Sequence, residues 1–215
     1  MAQKKKAVSP PGGRQAAYSA RNRARLISDA QEVLAEIGPS ATIEQIAAHA
    51  EVSPTTIYKY FENKDELFIL ALGEMWLNWL QWASLEVAPG TRLEMTLDTG
   101  RKLFWARKTH PLFANMLRNS LVEMPSFLVL SDRGEGKKVF SGLAASGELK
   151  RDDFDQRYSL WASIYRGLLS SVFVYEELSP ADANVAFGIG LSVWGISEAK
   201  ATKLISRPLV FAPLK

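Results

Sequence analysis

The chain contains no cysteine and only two histidines among its 215 residues. Without cysteine it forms neither disulfide bonds nor the thiolate sites that hold structural zinc. The histidines, His49 and His110, lie far apart in the sequence, and neither has a neighbour suited to a metal site or a catalytic triad. A phosphate-binding glycine loop and a G-x-S-x-G nucleophile motif are also missing. The sequence therefore predicts a protein that is not an enzyme and that uses no metal or cofactor.

Long apolar runs without charge are lacking as well. The most apolar stretch, 158–178, carries Arg166 at its centre and two glutamates near its end, which argues against a membrane-spanning helix. The basic run KKK at 4–6 is followed by AVSPPGG, unlike the apolar segment of a secretory signal peptide. The absence of cysteine suits a reducing compartment. These features predict a cytoplasmic protein with no membrane partner.

Acidic residues are absent from the first 25 positions, which hold seven lysines and arginines. The net charge of +3 originates in this part of the chain. Residues 1–20 are rich in lysine, proline, glycine and alanine, and we expect a disordered basic arm there. Such an arm in front of a folded domain is typical of proteins that bind a polyanion, although a solubilising tail has the same composition.

Helical periodicity recurs along the chain and no alternating strand pattern persists, which predicts an all-α fold of about nine helices. A first helix, from about 20 to 37, has one apolar stripe made of Leu26, Ala30, Val33 and Ile37. Each of the next three helices begins at a capping sequence: Thr42 with Gln45, Ser53 with Pro54, and Asn63 with Glu66. The fourth helix is predicted to run to about 85.

The second and third helices are short and close together, which is typical of a helix-turn-helix whose second helix enters the DNA major groove. Ile57 and Phe61 mark the buried side of that helix, so its polar residues face outward. Its threonines and lysine suit base edges, and its tyrosine hydroxyls suit phosphate oxygens. The predicted DNA-contacting residues are Thr42, Ser53, Thr55, Thr56, Tyr58, Lys59, Tyr60 and Lys64. The alternatives are aromatic packing for the two tyrosines and a solvated side chain for Lys64.

The segments ARLISDAQEVLAEIG and ATIEQIAAHAEVSPTTIYKYFENKDELF resemble the tetracycline-repressor (TetR) family of transcriptional regulators. The resemblance covers about 21–70 and implies that the residues named above, from Thr42 to Lys64, face DNA. It also implies a DNA-binding domain at 21–66, with its motif at about 42–61, and a helical effector-binding and dimerisation domain at 67–215. The family usually has glycine at the turn where this chain has Glu51, which is costly if the position needs a positive φ.

The C-terminal part of the chain is rich in aromatic residues. Trp76, Trp79 and Trp82 recur at three-residue spacing, and further aromatic residues follow. Aromatic residues at helical spacing form either a core or the wall of a cavity, and such a cavity favours a hydrophobic or aromatic ligand. The candidate ligand-binding residues are Trp79, Trp105, Phe113, Met116, Trp161 and Tyr165, with Arg166 as a polar anchor. Arg166 paired with an acid at a dimer seam is the alternative.

The last two predicted helices have compositions that suit a helix–helix interface. The stretch 158–175 is apolar nearly all round, and the helix that begins at Ser179 carries small residues at helical spacing, which permit close approach. In TetR-like proteins the last two helices form a four-helix dimer interface. The predicted interface residues are Leu168, Val172, Gly188, Ser192, Gly195 and Ala199, and packing within one chain is the alternative.

A homodimer of this kind binds an inverted repeat in double-stranded DNA, one half-site per subunit. The sequence therefore predicts a transcriptional regulator, in the family's common role of repressor. A small hydrophobic effector would release it from its operator by shifting the fourth helix. The alternative is a helical ligand-binding or adaptor protein with only non-specific affinity for DNA.

Overall fold

The computed structural model describes residues 13–123 and 134–213 of the chain. Within these residues the fold is all-α, as predicted. The helices are α1 Gly13–Glu36, α2 Ile43–His49, α3 Pro54–Tyr58, α4 Lys64–Leu85, α5 Arg92–Arg101, α6 Ala106–Thr109, α7 Pro111–Glu123, α8 Glu135–Ala145, α9 Phe154–Phe173, α10 Pro180–Gly190 and α11 Glu198–Ile205. Two short 3-10 helices, Lys102–Trp105 and Leu191–Trp194, separate α-helices at positions that the sequence periodicity does not predict. In this described part, no helix is long and apolar enough to cross a bilayer.

The first helix begins at Gly13 rather than near residue 20, so the predicted disordered arm is helical over 13–20. Alanine and glutamine in this segment favour a helix, and its side chains are exposed. Residues 1–12 lie outside the described residues. The predicted stripe is buried except at Ile37, which is 38% exposed. Gly38 adopts a φ of 90° and ends the helix immediately afterwards.

The three predicted capping sequences begin α2, α3 and α4. Thr42 and Gln45 form a complete capping box, and Ser53 accepts a hydrogen bond from the amide of Thr56. Asn63 accepts from the amide of Glu66. The predicted return bond from Glu66 differs, because its carboxylate accepts from the amide of residue 62, one position before the cap, at 2.6 Å.

Helix α4 extends from the helix-turn-helix into the C-terminal core. Near its start it packs against α1, where the side-chain amide of Gln31 donates to the carbonyl oxygen of Ala71 at 3.1 Å. Further along it buries Trp76, Trp79 and Trp82. A helix of 22 residues spans about 33 Å. The helix that contacts the core is therefore the same helix that begins beside α3.

The predicted last helix is interrupted. After α10 ends, a 3-10 turn follows, and Gly195 then adopts a positive φ of 74°. The small residues at 188, 192, 195 and 199 therefore do not form one stripe, which corrects the prediction. A Cβ at Gly188 would lie 2.8 Å from Cδ1 of Ile205. The close approach that this glycine permits is thus against α11 of the same chain.

Candidate nucleic-acid interface and effector cavity

The turn between α2 and α3 determines the direction in which α3 leaves the bundle. The amide of Val52 donates to the carbonyl oxygen of Ala47 at 2.9 Å and closes this turn. Glu51 lies inside it with a φ of 54°. A side chain in this left-handed region costs about 1 kcal/mol relative to glycine. The position therefore needs a positive φ, and the chain uses glutamate there.

Helix α3 presents a polar face away from the bundle. Ile57 and Phe61 are buried beneath it. Tyr58 is 54% exposed, and Thr55 and Lys59 are exposed beside it. Hydroxyl and ammonium groups in this arrangement can donate hydrogen bonds to base edges and to phosphate oxygens.

Three of the predicted DNA-contacting residues, Ser53, Thr56 and Tyr60, form hydrogen bonds with other side chains of the chain. The hydroxyls of Ser53 and Thr56 lie 2.9 Å apart. The hydroxyl of Tyr60 accepts from the side-chain amide of Asn22 at 3.3 Å, and its ring is half-buried against α1. Tyr60 thus has a structural contact that the outward-facing Tyr58 does not share.

Lys64, the first residue of α4, connects three parts of the helix-turn-helix region. Its ammonium group donates to the carbonyl oxygens of Pro39 and Ala41 at 3.1 and 3.2 Å. It also lies 5.0 Å from the centre of the Phe68 ring. An ammonium group has three N–H donors, so one remains for a further acceptor. Lys64 thereby fixes the loop before Thr42 against the start of α4.

A cavity of about 470 Å³ lies among α4, α5, α8, α9 and α10. Aromatic rings from four of these helices form much of its wall: Trp76, Trp79, Phe140, Tyr158, Trp161, Tyr165 and Phe187. Serine, threonine, glutamate and lysine side chains contribute the polar part of the lining. A cavity of this volume and composition suits a small hydrophobic molecule.

Three of the predicted ligand-binding residues, Trp79, Trp161 and Tyr165, line this cavity. The others lie elsewhere. Phe113 stacks on Trp79 with ring centres 5.7 Å apart, and Trp105 packs against Phe211. Met116 is fully buried in the core, and Arg166 lies in a depression on the outer side of α9. Periodicity along one helix could not show that Phe140, Tyr158 and Phe187 complete the wall.

The charged groups that line the cavity are paired, and the phenol of Tyr165, one of two on its wall, is neutral. The Tyr165 hydroxyl donates to a backbone carbonyl of α5 at 2.7 Å, and burial raises the pKa of this phenol above its usual value. Lys137 lies 2.8 Å from the carboxylate of Asp155, and Glu135 lies 2.5 Å from the ammonium group of Lys138. The lining therefore favours an uncharged ligand.

Two buried indole N–H groups, those of Trp76 and Trp79, have no acceptor within the described residues. Both side chains line the cavity. A buried donor without a partner costs about 1–3 kcal/mol. In the same described part of the chain, no three potential metal ligands of the His, Cys, Asp and Glu types lie together.

A buried cation holds the C-terminal end of α4. Lys102 is fully buried, and its ammonium group donates to the carbonyl oxygens of Ala83 and Glu86 at 2.7 and 2.6 Å. These belong to the last turn and cap of the helix, whose carbonyls lack intrahelical partners. The indole of Trp82 donates to the carbonyl oxygen of Ala212 at 3.2 Å. The C-terminal segment therefore also packs against this end of α4.

The predicted dimer-interface residues differ in their exposure. Val172 and Gly188 are buried within the single chain, so they offer little surface to a second subunit. Leu168 is half-buried, and the remaining three are exposed: Ser192, Gly195 and Ala199. Other apolar residues of α9 and α10 are more exposed, namely Leu160, Val185 and Ile189, the last at 72%.

A capped α2, a tight turn and an outward-facing α3, supported by α1 and α4, define a helix-turn-helix DNA-binding protein. Residues 26–71 match the family model of bacterial regulatory proteins, tetR family. Over these residues the chain is similar to the TetR family of DNA-binding transcription regulators.

Solved structures of several regulators have the same fold over most of the chain. RolR in complex with the ligand resorcinol has a TM-score of 0.70 at 17% identity, covering 91% of this chain and 98% of RolR. SmeT, the repressor of the Stenotrophomonas maltophilia multidrug efflux pump SmeDEF, has a TM-score of 0.62 at 17% identity, covering 80% and 89%. TylP, a TetR regulator from Streptomyces fradiae, has a TM-score of 0.58 at 19% identity, covering 89% and 93%. No curated protein sequence matches significantly.

Proposed function

We propose that this protein is a cytoplasmic transcriptional repressor that binds an inverted-repeat operator as a homodimer and is released by a small, uncharged aromatic effector. One observation carries the regulatory part of the proposal. Helix α4 contributes Trp76 and Trp79 to the cavity wall and begins at Lys64, beside α3. A molecule that binds one position of α4 better than another therefore changes the position of α3.

Residues 21–66 form the DNA-binding head in this proposal, with 67–215 as the effector-binding and dimerisation part. Thr55, Tyr58 and Lys59, exposed on α3, contact base edges and phosphates in the major groove. The free N–H group of Lys64 and the amide end of α2 at Thr42 contact further phosphates. These contacts place α3 in register with the bases.

The exposed apolar surface of α9 and α10 supports the homodimer. Leu160, Val185 and Ile189 are large apolar residues that a monomer leaves in water. Ser163 and Gly167 lie exposed on α9 beside them, so a helix of a second subunit can approach closely. A single short helix contacts few base pairs, and two subunits related by a twofold axis contact two half-sites.

The lining of the cavity supports an uncharged aromatic effector. Its aromatic wall provides faces for ring stacking, and its charged side chains are already paired. Trp76 and Trp79 would each donate a hydrogen bond to an acceptor oxygen of the ligand. RolR was solved with resorcinol bound and SmeT is a repressor. Our proposal extends both roles, small-molecule binding and repression, to this chain.

Selection of bound duplexes from a random DNA library, at near-physiological salt, tests the DNA-binding part. We expect enrichment of one inverted repeat. Salt-sensitive binding without an enriched sequence would instead indicate an adaptor with non-specific affinity.

The effector part is tested by measuring release of the protein from the selected operator by two compounds that differ in charge, naphthol and naphthoate. Release by the neutral compound and not by the anion is expected, and equal affinity for free and DNA-bound protein would reject the mechanism.

A further inference from the structure

The cavity among α4, α5, α8, α9 and α10 is larger than a single aromatic ring requires. An engineered protein cavity of about 150 Å³ binds one benzene molecule. The cavity in this chain has a volume of about 470 Å³, which is roughly three times as large. A ligand with one ring would therefore leave most of the wall without contacts, and each missing contact lowers the affinity.

The cavity extends along α9 for about two helical turns. Tyr158, Trp161, Ala162 and Tyr165 all line it from this helix, and the first and last of them lie about 10 Å apart along the helix axis. The rings of Trp161 and Tyr165 are nearly parallel, with an angle of 14° between their planes. A wall of this kind suits a ligand whose own rings are fused in one plane, because aromatic rings pack well in offset stacks.

One part of the lining is both buried and apolar. It consists of large side chains that are less than a tenth exposed: Trp76, Trp79, Leu97, Trp161 and Phe187. Other lining residues, among them Ser84, Glu135 and Lys137, are exposed and border the opening to solvent. The surface of the ligand rings therefore supplies most of the affinity, and a larger ring system binds more tightly until it meets the wall.

Two small residues interrupt the aromatic wall, Ala162 on α9 and Gly100 on α5. Glycine within a helix lowers its stability relative to alanine. Packing within the described residues does not require this glycine, because a Cβ at position 100 would approach only the hydroxyl of Tyr165 there, at an ordinary contact distance of 3.8 Å. The space beside Gly100 is therefore available to a ligand.

We propose that the effector is a flat, uncharged molecule of two or three fused rings, and that Ala162 and Gly100 set this size limit. The inference deepens the proposed function and rests on it, because the proposed function makes this cavity the effector site. A ligand with one ring leaves about two thirds of the volume empty, and four rings need about 600 Å³ by the same measure. A larger side chain at either position removes the space for the third ring first.

Equilibrium dialysis of the free protein measures this preference without DNA. The compounds are phenol, naphthol, phenanthrol and hydroxypyrene, which have one, two, three and four fused rings and one hydroxyl each. We expect naphthol and phenanthrol to bind about tenfold or more tightly than phenol, and hydroxypyrene to bind more weakly than phenanthrol. An affinity that rises steadily up to hydroxypyrene would follow apolar surface alone and would overturn the size limit.

Two variants narrow the cavity from different helices. Ala162→Leu should weaken phenanthrol binding about tenfold or more and should keep or strengthen phenol binding. Gly100→Ala should produce a smaller change in the same direction, and alanine favours the helix, so this variant folds. Ala181→Leu, at an exposed position of α10, adds the same side chain outside the cavity and should bind all four compounds like wild type. Equal weakening of all four compounds, or unchanged phenanthrol binding, would overturn the role of the substituted residue.

Failure of the proposed function gives a different result. In that case the compounds bind in the expected order of ring number, but none of them releases the protein from a selected operator. The size preference then stands for a ligand site that does not regulate DNA binding. Release by all four compounds with no preference in dialysis would instead overturn the size limit and leave the proposed function intact.

Discussion

The ammonium group of Lys102 donates to the carbonyl oxygen of Ala83 at 2.7 Å from a position with no exposed surface. A second bond, to the carbonyl oxygen of Glu86, makes Lys102 a cap for the end of α4 that comes from a different helical segment. Burial lowers the pKa of Lys102, yet its donors still satisfy acceptors that the helix end leaves free.

Lys102→Met should lower the free energy of unfolding by about 2 kcal/mol, because one buried and one partly buried carbonyl oxygen lose their donor. Urea unfolding followed by circular dichroism measures the change. Lys108→Met, at an exposed position on α6, serves as the control. Unfolding at the same urea concentration in wild type and Lys102→Met would show that the cap contributes nothing.

Glu51→Gly should raise the free energy of unfolding by about 1 kcal/mol, because glycine adopts the observed positive φ without a Cβ clash. Glu51→Ala removes the same charge but keeps the clash. Thermal unfolding should therefore separate the two variants, whereas a gain in DNA affinity from the lost negative charge should be common to both. Equal stabilisation by alanine and glycine would contradict the conformational explanation.

Tyr58→Phe and Tyr60→Phe should change different properties, operator binding in the first variant and stability in the second. The Tyr58 side chain is mostly exposed, so its loss of a hydroxyl should weaken operator binding and leave unfolding unchanged. The Tyr60 hydroxyl has a partner in Asn22, so its loss should cost about 0.5–1.5 kcal/mol of stability. Operator titration and urea unfolding of both variants measure this. A Tyr58 variant that binds like wild type would remove that side chain from the interface.

Ala162→Phe should fill part of the cavity, because Ala162 lies on its wall. We expect loss of naphthol binding, followed by quenching of tryptophan fluorescence, with operator binding retained. Ala181→Phe, at an exposed position of α10, adds the same ring outside the cavity and should bind naphthol normally. Unchanged quenching in the Ala162 variant would place the ligand elsewhere.

Stability should fall as the pH is lowered through the ordinary histidine range. The His110 ring packs edge-on against Trp82, with ring centres 4.3 Å apart, and burial lowers the pKa of His110 below its usual 6.5. The unfolded chain therefore binds a proton more readily than the folded chain, so stability is full above about pH 6.5 and decreases below it. His110→Gln should flatten this dependence in urea unfolding.

Features that depend on neighbouring residues were predictable from the sequence. The caps at Thr42 and Ser53 need only residues within one helical turn, and both are present. The resemblance to a family that usually has glycine at this turn raised the question of a positive φ, which Glu51 adopts. The same local reasoning gave the buried positions of α3, Ile57 and Phe61.

Features that depend on packing between distant segments were not predictable. Small residues at helical spacing around Gly195 fit a continuous helix as well as one that ends at a left-handed glycine. Phe140 and Phe187 meet the α4 tryptophans only because α8 and α10 fold against α4. Lysine is usually an exposed residue, so the sequence gives no sign that Lys102 is buried. Only the fold shows that its ammonium group lies against two backbone carbonyl oxygens.

The anchoring of α4 at Ala83 gives the helix the geometry of a lever. Trp79, on the cavity wall, lies about 6 Å along the axis from Ala83, whereas Lys64 lies about 28 Å from it. A rotation about the anchored end therefore displaces Lys64 about five times as far as Trp79. In the proposed mechanism, a movement of about 1 Å at Trp79 would become about 5 Å at Lys64, which exceeds the 3.4 Å spacing of phosphate charges along one strand's axis.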